Sequence, residues 1–157
     1  MKSKIRYGRF ATALTAIVFI LLFIGCITTM HNNSATIILL SVYVVIIVSG
    51  LFYGPAYIKA DPDSITLGSL FKSKKIPMRD VESVEMLQPT MGAIRIFASG
   101  GFMGYWGIFK EGDIGRYYAF YGKPSDCFLV RLKNGDKYML GCEKPYEMAD
   151  YIKSRLK

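Results

Sequence analysis

Histidine and cysteine, the residues most often used for metal binding and nucleophilic catalysis, are scarce in this chain of 157 residues. It has one histidine, His31, and three cysteines, none in a Cys-x-x-Cys pair. This composition argues against a zinc site, a Ser-His-Asp triad and a Cys-His pair. The closest acidic pairs fit turn capping and exposed strand positions better than acid–base catalysis; they are Asp61–Asp63 and Glu82–Glu85. We expect no catalytic residue, no metal and no cofactor.

Charge is also missing from one long block. Charged residues make up 20% of the chain, yet none lies between Phe10 and Tyr53. The block divides into two apolar runs, 10–30 and 35–53, and each matches the roughly 20 residues that cross about 30 Å of hydrocarbon. The polar segment 31–34 between them is short enough to force the two helices to run antiparallel. The sequence therefore predicts a transmembrane hairpin.

Basic residues at both ends of this block predict its orientation. The N-terminal segment 1–9 contains Lys2, Lys4, Arg6 and Arg9, and further lysines follow the second run. Because basic flanks remain on the cytoplasmic side, we expect segments 1–9 and 55–157 on the cytoplasmic side of the inner membrane and segment 31–34 on its external side. A lipoprotein signal with Cys26 as the lipidated residue stays open as an alternative, although the apolar run continues beyond that cysteine.

Neither apolar run contains an ionisable side chain, which argues against an autonomous transporter. Gly50 and Gly54 form a small-xxx-small pair near the end of the second run. Such pairs let helices approach closely. Packing within the hairpin and dimerisation both explain the spacing, so the oligomeric state is left open.

The remaining residues, 55–157, read as one small domain of short strands followed by a helix. Strands are predicted at 57–60, 64–67, 71–76 and 116–121. Asn134-Gly135 predicts a type I′ hairpin that places Cys127 opposite Cys142 as two buried thiols. An amphipathic helix begins near Pro145, and its apolar positions recur at helical spacing. The fold class is thus a membrane helical hairpin joined to an α+β domain.

Glycines and aromatic residues dominate segment 99–109 (SGGFMGYWGIF). A phosphate-binding loop is excluded because no GKS or GKT follows and the GxGxxG spacing is absent. Two interpretations remain: a tight loop that packs in the core, or contact with the membrane interface. The aromatic residues available for membrane or partner contact are Phe102, Tyr105, Trp106 and Phe109. Arg95 and Arg116, on either side, are interpreted as surface arginines, with anion binding as the alternative.

A second candidate contact region is basic and consists of Lys72, Lys74, Lys75 and Arg79. These side chains fit a solvated strand edge that resists pairing with other strands. The alternative is attraction to anionic headgroups, to which each nearby base adds on the order of 1 kcal/mol. Nucleic acid is not expected as a partner, because the bases are scattered and no recognition helix is indicated.

The C-terminal part resembles bacterial pleckstrin-homology (PH-like) domains over roughly residues 55–156. The residues that carry the resemblance are the glycine-aromatic stretch, Leu129-Val130-Arg131, Gly135, Tyr138 and the helix start at Pro145. The resemblance implies a partly open β-barrel of about seven strands capped by the last helix. It implies no enzymatic activity.

Together these features predict a non-catalytic membrane protein with a cytoplasmic PH-like domain. Such a protein would act as an adaptor or sensor that binds a protein partner or anionic lipid at the membrane surface. The alternative function is an accessory subunit of a membrane transporter or enzyme, docked through its helical hairpin.

Overall fold

A computed structural model describes residues 1–29, 33–90 and 92–156. The predicted end of the first apolar run at Met30, the predicted loop residues His31 and Asn32, and the final Lys157 lie outside the described residues.

Two long helices come first: α1, Arg9–Thr28, and α2, Asn33–Tyr53. Both are long and apolar enough to cross a membrane. Among their described residues only Ala11 and Gly50 are buried, so most apolar side chains face outward. Apolar helices within a soluble core are buried instead. The exposed apolar surface therefore fits the predicted hairpin anchor.

The first sheet combines residues from both ends of the helical hairpin. Its strands, in spatial order, are β1 (Lys2–Lys4), β2 (Tyr57–Ala60), β3 (Ser64–Gly68) and β4 (Ser73–Pro77), all antiparallel. Lys4 pairs with Tyr57, and the next residue, Ile5, is buried in the core. The chain thus leaves this sheet for α1 and returns from α2 at the neighbouring strand. Both ends of the hairpin are attached to one domain.

The second sheet contains six strands in the order β5-β9-β10-β8-β7-β6. Only the β10–β8 pair is parallel. The bounds of the strands are β5 Val81–Glu85, β6 Ile94–Gly101, β7 Gly104–Glu111, β8 Gly115–Tyr121, β9 Cys127–Leu132 and β10 Lys137–Gly141. Short 3₁₀ turns at Met78–Asp80 and Pro124–Asp126 precede β5 and β9.

The main core lies between the two sheets and under a C-terminal helix, α3 (Pro145–Lys153). Phe128 and Leu140 of the second sheet share this core with Ile58 and Ile65 of the first. From α3 come Met148, Ala149 and Ile152. Leu156, which the helical spacing also includes, follows the end of α3 and is partly buried against the same core. The predicted fold class, two helices and then a β-rich domain capped by a helix, is confirmed. The described residues form ten strands in two sheets, more than the about seven that the resemblance implies.

The predicted register of the β9–β10 hairpin is wrong by one residue. Cys127 pairs with Gly141, not with Cys142. The turn contains three residues, because the N–H of Leu132 bonds to the carbonyl of Asp136, and only Gly135 has a positive φ, of 90°. A type I′ turn would require positive φ at Asn134 as well. A shift of one residue moves a side chain to the other face of a sheet. The two buried thiols accordingly belong to different cores.

Candidate functional site

The glycine-aromatic stretch forms the β6–β7 hairpin and not a loop, although its glycines supply positive φ as expected. Gly101 pairs with Gly104 across a turn made by Phe102 and Met103. The φ angles of Gly101, Met103 and Gly104 are 128°, 48° and 88°. Positive φ is unfavourable for residues with a side chain, so glycine at both ends permits the tight reversal. We call Gly101–Gly104 the hairpin tip.

The hairpin tip packs against both long helices. The Phe102 ring lies 5.8 Å from the Phe19 ring of α1. A Cβ added to Gly50 of α2 would overlap the Met103 sulfur, and one added to Gly54, the residue after α2, would lie 3.3 Å from the Met103 carbonyl oxygen. The glycine pair from the sequence therefore faces the hairpin tip. The two helices approach closely elsewhere, where a Cβ on Gly25 would lie 3.0 Å from Leu39.

Polar groups at the hairpin tip are matched by side chains. The N–H of Met103 donates to the Thr15 hydroxyl of α1 at 2.9 Å. The carbonyl of Phe102 accepts from the Ser99 hydroxyl at 2.9 Å and from the Trp106 indole at 3.3 Å. Backbone polar groups in an apolar environment must be paired within the protein. The tip meets this requirement where it lies against the helices.

The four aromatic residues of the stretch do not form one surface. Phe102 and Trp106 face the helices, and the Trp106 ring stacks on Tyr53 at 5.6 Å. Tyr105 stacks on Tyr121, and Phe109 is buried in the second core, on the outer face of the larger sheet. Two aromatic side chains thus join the domain to the helices, and two stabilise the domain itself.

A second turn, between β3 and β4, lies beside the end of α2. Leu70 and Phe71 at this turn are 64% and 69% exposed. The Phe71 ring is 5.7 Å from the Phe52 ring of α2. The turn therefore presents two apolar side chains next to the end of an apolar helix.

Lys72 and Lys74 line a cavity of about 220 Å³ next to this turn. The Lys72 ammonium lies 4.9 Å above the Tyr53 ring, and the Lys74 ammonium donates a hydrogen bond of 2.7 Å to the Tyr138 hydroxyl. Within the described residues, neither lysine forms an ion pair with a carboxylate. The other lining residues are Phe52, Tyr53, Leu67, Ser69, Tyr118 and Phe120. We call this cavity the lysine pocket.

Apart from the two lysines, the wall of the lysine pocket is uncharged and mostly aromatic. Burial raises the pKa of Tyr118, and the neighbouring Tyr138 raises it further, so the phenol stays neutral at physiological pH. Two ammonium groups above neutral rings can attract an anion without an opposing carboxylate. The geometry suits a phosphate or another small anionic group.

Lys75 and Arg79 lie apart from the lysine pocket. Successive residues of a strand point to opposite faces, so Lys75 faces away from Lys74. Arg79 lies in the 3₁₀ turn after β4, forms an ion pair with Asp80 at 3.7 Å and lines a different cavity. The structure therefore brings together only the first two members of the predicted basic group.

A model of the bacterial PH domain family matches residues 57–156, which is most of the chain. This chain belongs to the bacterial PH domain family. The match begins at the first residue of β2 and extends past α3. Searches among curated proteins and among solved structures found no match.

Two residues or segments of this PH domain have structural roles that the sequence analysis did not predict. β1 completes its first sheet but lies outside the matched residues, because it precedes both helices in the sequence. Thr15 bonds to the hairpin tip from α1. A short basic segment and a threonine in an apolar run give no local signal for either role.

Proposed function

We propose that this PH domain protein is a non-catalytic membrane-anchored module that binds an anionic lipid headgroup in its lysine pocket. The observation that supports this proposal most directly is the position of Lys72 and Lys74. Their pocket is walled by Phe52 and Tyr53, at the end of an apolar helix. If α2 crosses the bilayer, a ligand in this pocket lies at the depth of the headgroups.

The proposal includes a topology in which α1 and α2 cross the inner membrane as a hairpin, with the PH domain and both termini on the cytoplasmic side. Basic residues at both ends of the hairpin favour this orientation. The pairing of Lys4 with Tyr57 supports the hairpin itself, because residues on both sides of it must then lie in the same compartment.

The topology can be tested with a membrane-impermeant maleimide in a Cys26→Ala background. Burial raises the pKa of the Cys127 and Cys142 thiols, so both stay protonated and unreactive. We expect Lys133→Cys to be labelled only in inverted vesicles. The matched reporter Ser34→Cys, at the other end of α2, should be labelled only in right-side-out vesicles. Labelling of Lys133→Cys in right-side-out vesicles would contradict the topology.

Headgroup binding can be tested with the full chain in nanodiscs that contain phosphatidylcholine with or without phosphatidylglycerol. Native mass spectrometry after release from the discs counts the lipids that stay bound. We expect the Lys72→Ala, Lys74→Ala double variant to retain about thirtyfold less phosphatidylglycerol, since each lysine adds on the order of 1 kcal/mol.

The control is the Lys133→Ala, Lys153→Ala double variant, which removes the same charge at exposed positions outside the lysine pocket. It should retain nearly as much phosphatidylglycerol as the unmodified chain. If both double variants lost the same amount of phosphatidylglycerol, net charge and not the lysine pocket would explain the binding. A protein that copurifies only when Lys72 and Lys74 are intact would favour a protein partner instead.

A further inference from the structure

A groove runs along the opposite side of the domain, between the start of α1 and the larger sheet. One part is an apolar cavity of about 540 Å³ with aromatic walls from Phe10, Tyr105, Phe109 and Tyr121. Its other lining residues are Pro89, Thr90, Ala93, Arg95 and Pro124. This volume falls within the range of small-molecule sites, roughly 300–1,000 Å³.

The second part of the groove is basic and has a volume of about 620 Å³. It shares Phe10, Tyr105 and Pro124 with the apolar cavity, so the two parts lie side by side. The remaining lining residues are Arg6, Tyr7, Gly8, Arg9, Ala11, Gly122, Lys123 and Asp126. Apolar and basic surfaces therefore adjoin in one amphipathic groove.

Two arginines along the groove are available to bind an anion. Lys123 pairs with Asp126 at 3.6 Å, which neutralises the carboxylate that lines the basic part. Arg6 lies 3.8 Å from Glu143. Within the described residues, Arg9 and Arg95 form no ion pair, and Arg95 has only a long hydrogen bond of 3.5 Å to the Gly100 carbonyl.

The mouth of the groove is at the first turn of α1. Phe10 is 62% exposed and contacts Gly101 of the hairpin tip, which itself lies against both helices. From there the cavity follows β7 away from the tip as far as Phe109. The lining residues Tyr105 and Phe109 are four residues apart on β7, which corresponds to roughly 13 Å. The apolar part thus extends from the membrane end of the domain into its interior.

We propose that this groove binds one anionic phospholipid of the adjoining leaflet. One acyl chain enters the apolar cavity, and the phosphate lies between Arg9 and Arg95 at the mouth. Apolar burial stabilises the chain by about 25 cal/mol per Å² of surface removed from water, and the arginines select for negative charge. The inference rests on the proposed membrane anchoring but not on the lysine pocket.

The test uses full-length protein in nanodiscs with phosphatidylglycerol that carries a diazirine near the end of one acyl chain. After photolysis, mass spectrometry maps the crosslinked peptides. Lipids around the anchor should label α1 and α2 in every variant. A lipid in the groove should also label the domain at Phe109, Tyr121 or Pro124.

Matched variants separate the groove from general lipid contact. Pro124→Trp places a bulky ring where the two parts of the groove meet, and the control Ser125→Trp places it one residue away, outside the groove. Pro124 and Ser125 are both exposed, so both variants should fold. We expect domain crosslinks to fall at least about fivefold in Pro124→Trp and to stay unchanged in Ser125→Trp.

The charge contribution is tested by Arg95→Gln against Arg116→Gln, an exposed arginine of the same sheet that does not line the groove. Only the first variant should remove the preference for phosphatidylglycerol over a phosphatidylcholine probe. Helix crosslinks without domain crosslinks, or an equal preference for both lipids, would overturn the proposal. If crosslinks were absent from the helices as well as from the domain, the proposed membrane anchoring would be contradicted instead. If changing Lys72 and Lys74 removed the domain crosslinks, the groove and the lysine pocket would not be independent sites.

Discussion

Two turns of the domain reach the long helices, and they are built differently. The hairpin tip lies against α1 and α2. Its Met103 N–H donates to the Thr15 hydroxyl, and its Phe102 carbonyl accepts from Ser99 and Trp106. The β3–β4 turn contacts the helices through the Phe52–Phe71 ring pair and leaves Leu70 and Phe71 largely exposed. We call the hairpin tip the fixed joint, because packing and hydrogen bonds hold it against the helices. We call the β3–β4 turn the contact surface, because its apolar side chains remain exposed.

The largest effect is expected from Gly104→Ala at the fixed joint. Gly104 has a φ of 88°, and a Cβ there would lie 2.8 Å from Pro55 and 3.0 Å from Tyr7. Backbone strain and crowding together should lower the free energy of unfolding by about 3 kcal/mol. The measurement is thermal unfolding of the full chain in detergent. Gly112→Ala is the control, because a Cβ there meets nothing within 4 Å, and an equal loss in both variants would contradict the role of the joint.

The same substitution in each turn compares them directly. Phe102 is half-buried against Phe19, so Phe102→Ala should cost about 2 kcal/mol, less than the roughly 3–5 kcal/mol of a fully buried phenylalanine. Phe71 is 69% exposed, and Phe71→Ala should change stability by less than about 0.5 kcal/mol. Urea or thermal unfolding of both variants measures the difference. If Phe71→Ala proved the more destabilising, the assignment of joint and contact surface would be reversed.

A smaller effect is expected from Thr15→Val, which keeps the shape of the side chain and removes its hydroxyl. The N–H of Met103 would then lose its acceptor, at a cost of about 1–2 kcal/mol. Thr12→Val is the matched control, because among the described residues the Thr12 hydroxyl bonds only to the carbonyl of Gly8, the N-cap of the same helix. Its stability should change by less than about 0.5 kcal/mol. Indistinguishable unfolding midpoints for the two variants would show that Thr15 does not support the hairpin tip.

Local pattern was sufficient for much of the fold. The strand at 57–60 and the apolar face of α3 were predicted because each has an amphipathic or strand-forming sequence next to a turn signal. The β9–β10 register could not be predicted in the same way. Cys127, Phe128, Leu129 and Val130 are all fully buried, so β9 has no polar face to distinguish one register from the next.

The candidate site was predictable only in part. Charge singled out Lys72 and Lys74, but strand alternation and the 3₁₀ turn separate them from Lys75 and Arg79. The aromatic stretch was recognised as unusual, yet its pairing as β6 and β7 depends on contacts with β8, which follows it in the chain. Arg95 was noted as a surface arginine; the cavity beside it depends on Phe10 and Pro124, residues distant in sequence.

The amino-acid sequence by itself determined the two apolar helices, the strand-rich domain with its C-terminal helix, and the excess of positive charge near the helices. These properties follow from local hydrophobicity and charge, which need no partner elsewhere in the chain. Only the tertiary structure decided that Lys2–Lys4 completes the first sheet, that the hairpin tip packs on Gly50, and that the groove opens beside Phe10. Each of these depends on residues that meet only after the chain has folded.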